Sequence, residues 1–89
     1  MKIRRHIYFS GRVQGVGFRY HAYYISKSLG LTGWVKNLSD GRVEMEVQGN
    51  AESIEIMVER LNKQRFIHIE EIDWKPIPLE RDSSFEMLN

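Results

Sequence analysis

Asp40-Gly41-Arg42-Val43-Glu44-Met45-Glu46-Val47-Gln48 alternates apolar and polar residues without a fault, behind a dipeptide that tight hairpin turns favour. The alternation predicts a half-buried strand, and the turn predicts an antiparallel partner just before it. Leu31 to Leu38, containing Gly33-Trp34-Val35-Lys36-Asn37, is that partner. Downstream, Gly49 and Asn50 end the strand. Asn50 is placed to cap a helix whose apolar stripe is Ile54, Met57, Val58 and Leu61. Glu52 near the start of that helix, and Lys63 and Arg65 near its end, suit its dipole.

Upstream, Ile3, Ile7 and Phe9 share one parity, with Arg4, His6, Tyr8 and Ser10 on the other, so residues 3 to 10 read as a strand. His6 reads as an outward strand residue. Phe18, Ala22, Ile25 and Leu29 recur at helical spacing, and Gly30 is placed to stop that helix in a left-handed conformation. In the last third, Ile67 and Ile69 share one parity while Ile72 and Trp74 share the other. The strand there either contains a bulge or starts later than Phe66, and Pro76 and Pro78 close it. A polar turn through Arg81, Asp82 and Ser83 leads to a short edge strand, Phe85-Glu86-Met87. The order strand, helix, strand, strand, helix, strand predicts an α+β, ferredoxin-like split βαβ sandwich (βαββαβ). Its antiparallel sheet would carry both helices on one face.

The 89 residues are expected to form a single domain, 1–89, with no room for a separate cofactor domain. Thirteen Lys and Arg against twelve Asp and Glu leave a formal net charge of +1, too little for a field that grips nucleic acid or an anionic membrane. The absence of cysteine excludes disulfides, thiolate zinc sites and a cysteine nucleophile. The basic start, Met1-Lys2-Ile3-Arg4-Arg5-His6, has no apolar run that would make a signal peptide or a membrane span. A soluble, cytoplasmic monomer is the expectation.

Between the first strand and the first helix lies Gly11-Arg12-Val13-Gln14-Gly15-Val16-Gly17-Phe18-Arg19. At a helix N-terminus the first N–H groups lack intrahelical partners and the dipole adds partial positive charge, so the place is predisposed to hold an anion. Glycines let the amides curl inward, and Arg19 adds a guanidinium fork that grips two oxygens at once. Two other phosphate loops are excluded by spacing, because Tyr20 stands where a dinucleotide fingerprint needs its third glycine and no Gly-Lys-Ser/Thr ending is present. His21, one turn into a polar helix face, reads as a solvated residue rather than a general base. Asn37, beside the hairpin turn, either satisfies local backbone groups or approaches the anion site from the neighbouring strand.

Together, the stretch Gly11 to Arg19, then Gly30-Leu31-Thr32-Gly33-Trp34-Val35-Lys36-Asn37, then Asp40-Gly41-Arg42-Val43-Glu44 resembles the acylphosphatase family over nearly the whole chain. The closing Phe85-Glu86-Met87 is similar to the family's short final strand, whereas Asn62-Lys63-Gln64-Arg65-Phe66 lacks the Gly-Pro frequent in relatives. The resemblance implies hydrolysis of the carboxyl–phosphate bond of an acyl phosphate, with neither metal nor cofactor. It implies that Arg19 and the loop amides of Gln14, Gly15, Val16, Gly17 and Phe18 hold the phosphoryl group, while Asn37 orients the attacking water. The residue types agree, since amides, an arginine and an asparagine position and stabilise but move protons poorly. A carboxylate leaving group, with a conjugate acid of pKa about 4.3 by analogy with glutamate, needs no proton.

Three rivals share this order of elements. An RNA-binding domain would stack bases on third-strand aromatics, where this chain offers Glu44, Glu46 and Gln48. An acylphosphatase-like, carbamoyl-phosphate-handling module would belong to a much longer polypeptide. A metal-carrying ferredoxin-like domain would need paired cysteines, and the histidines here are scattered.

Overall fold

In a computed structural model describing residues 1–89, the chain runs β1 (Lys2–Arg12), α1 (Phe18–Ser28), β2 (Thr32–Asn37), β3 (Val43–Asn50), α2 (Ala51–Asn62), β4 (His68–Ile77) and β5 (Phe85–Met87). The sheet has five strands in the order β4-β1-β3-β2-β5. Alternation sends Ile7 and Phe9 of β1, Val35 of β2, and Val43, Met45 and Val47 of β3 to one face. There they bury against Phe18 and Ala22 of α1 and Ile54, Met57 and Leu61 of α2. Both helices therefore cover one face of the sheet, as the sequence pattern predicts.

The ends of the elements are where sequence and structure differ. Residues 38 and 42 are bridged by Leu38 N–H donating to Arg42 O at 2.9 Å, and Gly41 N–H reaches Leu38 O at 3.3 Å. The hairpin loop is thus Ser39-Asp40-Gly41, with Gly41 left-handed at φ 95°, rather than a two-residue turn on Asp40-Gly41. Asp40 selects it by accepting the Arg42 N–H at 3.0 Å. Gly49 and Asn50 do not end β3 but pair with Ile3 and Lys2. Asn50 still caps α2, accepting the Glu52 N–H at 2.9 Å. Gly30, at φ 71°, closes α1, with Gly30 N–H donating to Lys27 O and Leu31 N–H to Ser26 O.

Both readings of the last third hold together. β4 starts at His68, and its register slips so that Ser10 faces Glu71 while Gly11 faces Ile69, leaving Glu70 unpaired in a bulge. The extra residue brings Ile69, Ile72 and Trp74 to one face, because Ile72 pairs with Phe9 and Trp74 with Ile7. Pro76 lies inside the strand and is tolerated because β4 is an edge. Pairing beyond the bulge also extends β1 to Arg12, so the loop begins at Val13 and not at Gly11.

The sheet is mixed rather than antiparallel, since β5 runs parallel to β2 through the pairs Gly33 with Phe85 and Val35 with Met87. β4 and β5 lie on opposite edges, so the chain between them has to cross the open face of the sheet. Four strand spacings are about 19 Å, and seven extended residues span roughly 23–25 Å, enough for Pro78–Ser84 to make the crossing. It runs along the row Ile77, Arg4, Gln48, Thr32, whose members face one another across the strands. Gln48 holds it through both amide atoms, donating to Glu80 O and accepting Glu80 N–H, each at 2.8 Å. Arg4, on the outward parity, is consequently buried at 2% exposure. Its guanidinium meets Glu46 at 2.9 Å, Glu80 at 3.5 Å and Asp82. Burial disfavours its charge, but hydrogen bonds to Asp82 and Glu46 outweigh that and raise its pKa.

Candidate active site

Phe18 fixes the start of α1. It is 2% exposed, and its ring packs on Phe9 of β1 with centroids 4.9 Å apart, an aromatic pair worth about 0.5–1.5 kcal/mol beyond its area. Before it, Gly15 and Gly17 adopt φ of 72° and 81°, a left-handed conformation costing other residues about 1–2 kcal/mol. Gly17 is the N-cap of α1. No side chain caps the helix and no acidic residue lies in its first turn, whereas α2 has both Asn50 and Glu52. The positive end of α1 is therefore left without the protein anion that helices ordinarily recruit.

Arg19 follows in the first turn, and Asn37 is the last residue of β2. The two meet at a pocket of about 140 Å³, lined also by Val13, Gly15, Gly17, Phe18, Tyr20 and Met87. No Asp or Glu lines it, leaving Arg19 its sole formal charge. Asn37 Oδ1 is buried with no hydrogen-bond partner, an acceptor that would otherwise cost about 1–3 kcal/mol. Three larger hollows, of about 310, 340 and 160 Å³, lie elsewhere and contain neither Arg19 nor Asn37.

The end of the chain reaches the same pocket. Leu88 N–H donates to Val35 O at 2.9 Å, continuing the β2–β5 pairing. Arg19 Nη1 donates to Leu88 O at 2.8 Å, to Asn89 Oδ1 at 3.1 Å and to Asn89 O. Asn89 in turn clasps the Asn37 backbone, accepting its N–H at 3.2 Å and donating Nδ2 to its carbonyl at 2.9 Å. These bonds employ Nη1 alone, so the guanidinium is oriented while Nε and Nη2 take no part in them.

Of the expected substrate-binding residues, Gly15, Gly17 and Phe18 line the pocket with Arg19 and Asn37, while Gln14 and Val16 do not. Val16 is half-buried against the core. Gln14 turns its side chain to the hairpin, where Nε2 donates to Leu38 O at 2.7 Å and to Arg42 O at 2.8 Å. What Gln14 and Val16 can offer an anion is their backbone N–H. Tyr20 and Met87, which line the pocket, and Asn89, which bonds to Arg19 and Asn37, are candidate-site residues that sequence reasoning missed. Tyr20 was readable as the neighbour of Arg19, but Met87 and Asn89 reach the pocket only through the parallel placement of β5. The Tyr20 phenol is pushed above its ordinary pKa, chiefly by the neighbouring Tyr24 hydroxyl. No group of three or more His, Asp or Glu side chains is placed to hold a metal ion. No helix is long and apolar enough to cross a membrane.

Fold and pocket together define the class: a small α+β sandwich whose polar pocket, at the N-terminus of α1, has the features of an anion cradle. The acylphosphatase family profile matches residues 5–87. The acylphosphatase of Geobacillus thermodenitrificans is 42% identical over 79 residues, covering 82% of this chain and 84% of that one. That of Bifidobacterium longum is 48% identical over 59 residues, covering 66% of this chain and 61% of its own. For the Nostoc relative the matched stretch is 55% of its length, so the chain spans little more than half of some curated relatives. The crystal structure of the Bacillus subtilis acylphosphatase superposes over 100% of both chains with a TM-score of 0.90 at 34% identity. The chain belongs to the acylphosphatase family.

Proposed function

We propose that the protein hydrolyses acyl phosphates to a carboxylate and inorganic phosphate, acting as a monomer on a small-molecule substrate. The phosphoryl group sits at the N-terminus of α1, against the backbone N–H groups of Gln14 to Phe18 and the guanidinium of Arg19. Water attacks phosphorus in line, the bond between phosphorus and the acyl oxygen breaks, and the carboxylate leaves with the electron pair. The proton of the water passes to a phosphoryl oxygen, so no protein group has to titrate. As the transferring group loosens, charge on its equatorial oxygens meets the amides and Arg19. Asn37 orients the water. The observation that carries this reading is the buried Asn37 Oδ1, an acceptor with no protein donor, in the pocket that Arg19 charges.

The test is release of phosphate and carboxylate from acetyl phosphate, with chelator present, by wild type, Arg19→Ala and Asn37→Ala. Removing Arg19 takes away binding and transition-state stabilisation together, so kcat/KM should fall by about 10³-fold or more. Removing Asn37 should lower kcat by about 10²-fold with little change in KM. Turnover by either variant at the wild-type rate would refute its role. A folded wild type with no turnover would refute the enzymatic reading.

A further inference from the structure

β4 is exposed almost from end to end, with only Ile69 and Ile77 partly buried. It is an edge strand, so backbone N–H and C=O groups on its outer side have no strand to pair with. The bulge at Glu70 interrupts the ladder at one end and Pro76, without an N–H, at the other, which leaves Glu71 to Lys75 as the open run. The two faces of that run differ. Ile72 and Trp74 lie on the helix side, opposite the core residues Phe9 and Ile7, yet are 43% and 49% exposed, because α2 packs against β3 and leaves this edge uncovered. A hollow of about 340 Å³ between α2 and β4 continues the apolar surface through Val58, Ile69 and Ile72, and Glu59 and Glu70 also line it. Arg5, paired with Glu55 at 3.0 Å, lies 4.1 Å over the Trp74 ring and holds it. On the other face Glu71 and Asp73, opposite Ser10 and Tyr8, have no ion-pair partner, and neither has Glu70.

We propose that the edge of β4 from Glu71 to Lys75 is a docking strip for an extended segment of a partner protein in which apolar residues alternate with Lys or Arg. Added as a further strand, such a segment pairs with the open backbone groups of β4. Its apolar side chains then lie against Ile72, Trp74 and the hollow beside them, and its basic side chains meet Glu71 and Asp73 on the opposite face. The alternation demanded of the partner is the complement of the alternation in β4 itself. Charge selects this occupant over others. Glu59, Glu70, Glu71 and Asp73 stand against Lys75 and against Lys63, which Glu59 already engages at 3.1 Å, so the strip is acidic. A second copy would set this acidic strand against itself and, in the register that pairs Ile72 with Trp74, would face Asp73 with its own counterpart, a destabilising like-charge pair. Contiguous exposed apolar side chains rimmed by polar ones mark contact sites, whereas single scattered ones need no partner.

The experiment titrates the isotope-labelled full chain with a capped probe peptide, Lys-Val-Lys-Val-Lys-Val-Lys, and follows backbone amide resonances and amide exchange. Two control peptides replace every Lys by Glu, or the central Val by Pro. The Lys probe should shift Ile69 to Lys75 saturably, with a Kd of roughly 0.1 mM, and slow exchange of the outward N–H groups between Glu71 and Lys75. The Glu peptide should bind about tenfold more weakly or worse, and the Pro peptide, which removes a ladder donor, should give no exchange protection. Glu71→Lys, at an exposed and unpaired position, should fold as wild type and weaken the Lys probe by about threefold to tenfold. Equal binding of the Lys and Glu peptides would overturn the charge complementarity, and equal protection by the Pro peptide would overturn strand addition. No saturable shift at β4 up to about 2 mM probe would overturn the docking strip altogether. A dimer in sedimentation without peptide, broken by Glu71→Lys, would assign the edge to a second copy and overturn the proposal as well.

Discussion

Gln14 joins the two halves of the pocket, and its removal has a calculable cost. Its Nε2 donates to Leu38 O at 2.7 Å and Arg42 O at 2.8 Å, both carbonyls of the β2–β3 hairpin. Arg42 O keeps another donor in Leu38 N–H, and Leu38 O keeps Gly41 N–H at 3.3 Å. Gln14→Ala therefore orphans no acceptor, and the loss is the net worth of two hydrogen bonds, about 1–3 kcal/mol. For a domain of this size that lowers Tm by roughly 4–8 °C per kcal/mol. The effect on chemistry has a separate cause. Leu38 follows Asn37 directly, so without the tie Asn37, proposed to position the water, drifts relative to the loop proposed to hold the phosphoryl group. A displacement approaching 1 Å is enough for a loss of about tenfold to 10²-fold in kcat. Inorganic phosphate, which on the proposed reading needs the loop and Arg19 but not Asn37, should inhibit the variant nearly as well as wild type. Thermal unfolding, kcat with acetyl phosphate and phosphate inhibition separate these effects. A Gln14→Ala protein with wild-type kcat would refute the tie. One whose phosphate inhibition collapsed would show that the side chain itself binds the anion.

Other substitutions probe the frame around the pocket. A Cβ on Gly33, at φ 132°, would run into the backbone carbonyl oxygen of Glu46, so Gly33→Ala should cost about 3–5 kcal/mol in urea titration. Gly15→Ala meets nothing within 4 Å and should cost only the left-handed strain of about 1–2 kcal/mol. Arg4→Ala strands Glu46, Glu80 and Asp82 around a vacated cation, and since those partners are partly exposed the loss should be about 2–4 kcal/mol, with limited proteolysis appearing first between residues 78 and 84. Asp40 is held below its ordinary pKa by the Arg42 N–H and guanidinium, so its contribution is present above about pH 4 and fades as pH falls through the depressed folded value. Unfolding of Asp40→Asn should accordingly differ from wild type at pH 7 and converge with it in acid.

The fold was legible wherever a single strand or helix carried its own signal. The alternation from Val43 to Val47, the stripe of α2 and the stop at Gly30 act within one element and stand as expected, while in α1 the buried Ser26 joins Phe18 and Ala22, and Ile25 and Leu29 are only partly buried. What was not legible depends on elements distant in sequence. Arg4 reads as outward because its parity is outward, and nothing local announces that residues 78–84 will cover it. The parity conflict between Ile69 and Ile72 left a bulge or a later start open, and the structure has both, the bulge putting Ile69 and Ile72 on one face. For the pocket, the glycine loop and Arg19 were readable from the strand-to-helix handover. Asn37 was not readable from the residues alone, since its role depends on how close the end of β2 comes to the start of α1.

The crossing segment explains why a short final strand matters to a site built from the other end of the chain. β1 and α1 bring the loop and Arg19, and β2 brings Asn37, so a chain ending at β4 would already hold the polar groups. It would not orient Arg19, whose hydrogen bonds all go to Leu88 and Asn89. Those residues reach the pocket because Pro78–Ser84 carries the chain across the open face and sets β5 parallel against β2, with Phe85 buried beside Gly33. Arg4 and Gln48, at the far end of the sheet rows from Asn37, hold that crossing in place. A long guanidinium side chain in the first turn of a helix otherwise has many rotamers, and freezing them beforehand lowers the entropy lost when an anion binds. The buried polar cluster on the back of the sheet and the preorganised arginine on its edge are therefore two ends of one device. Loosening the first should weaken anion binding at the second without altering any residue of the pocket.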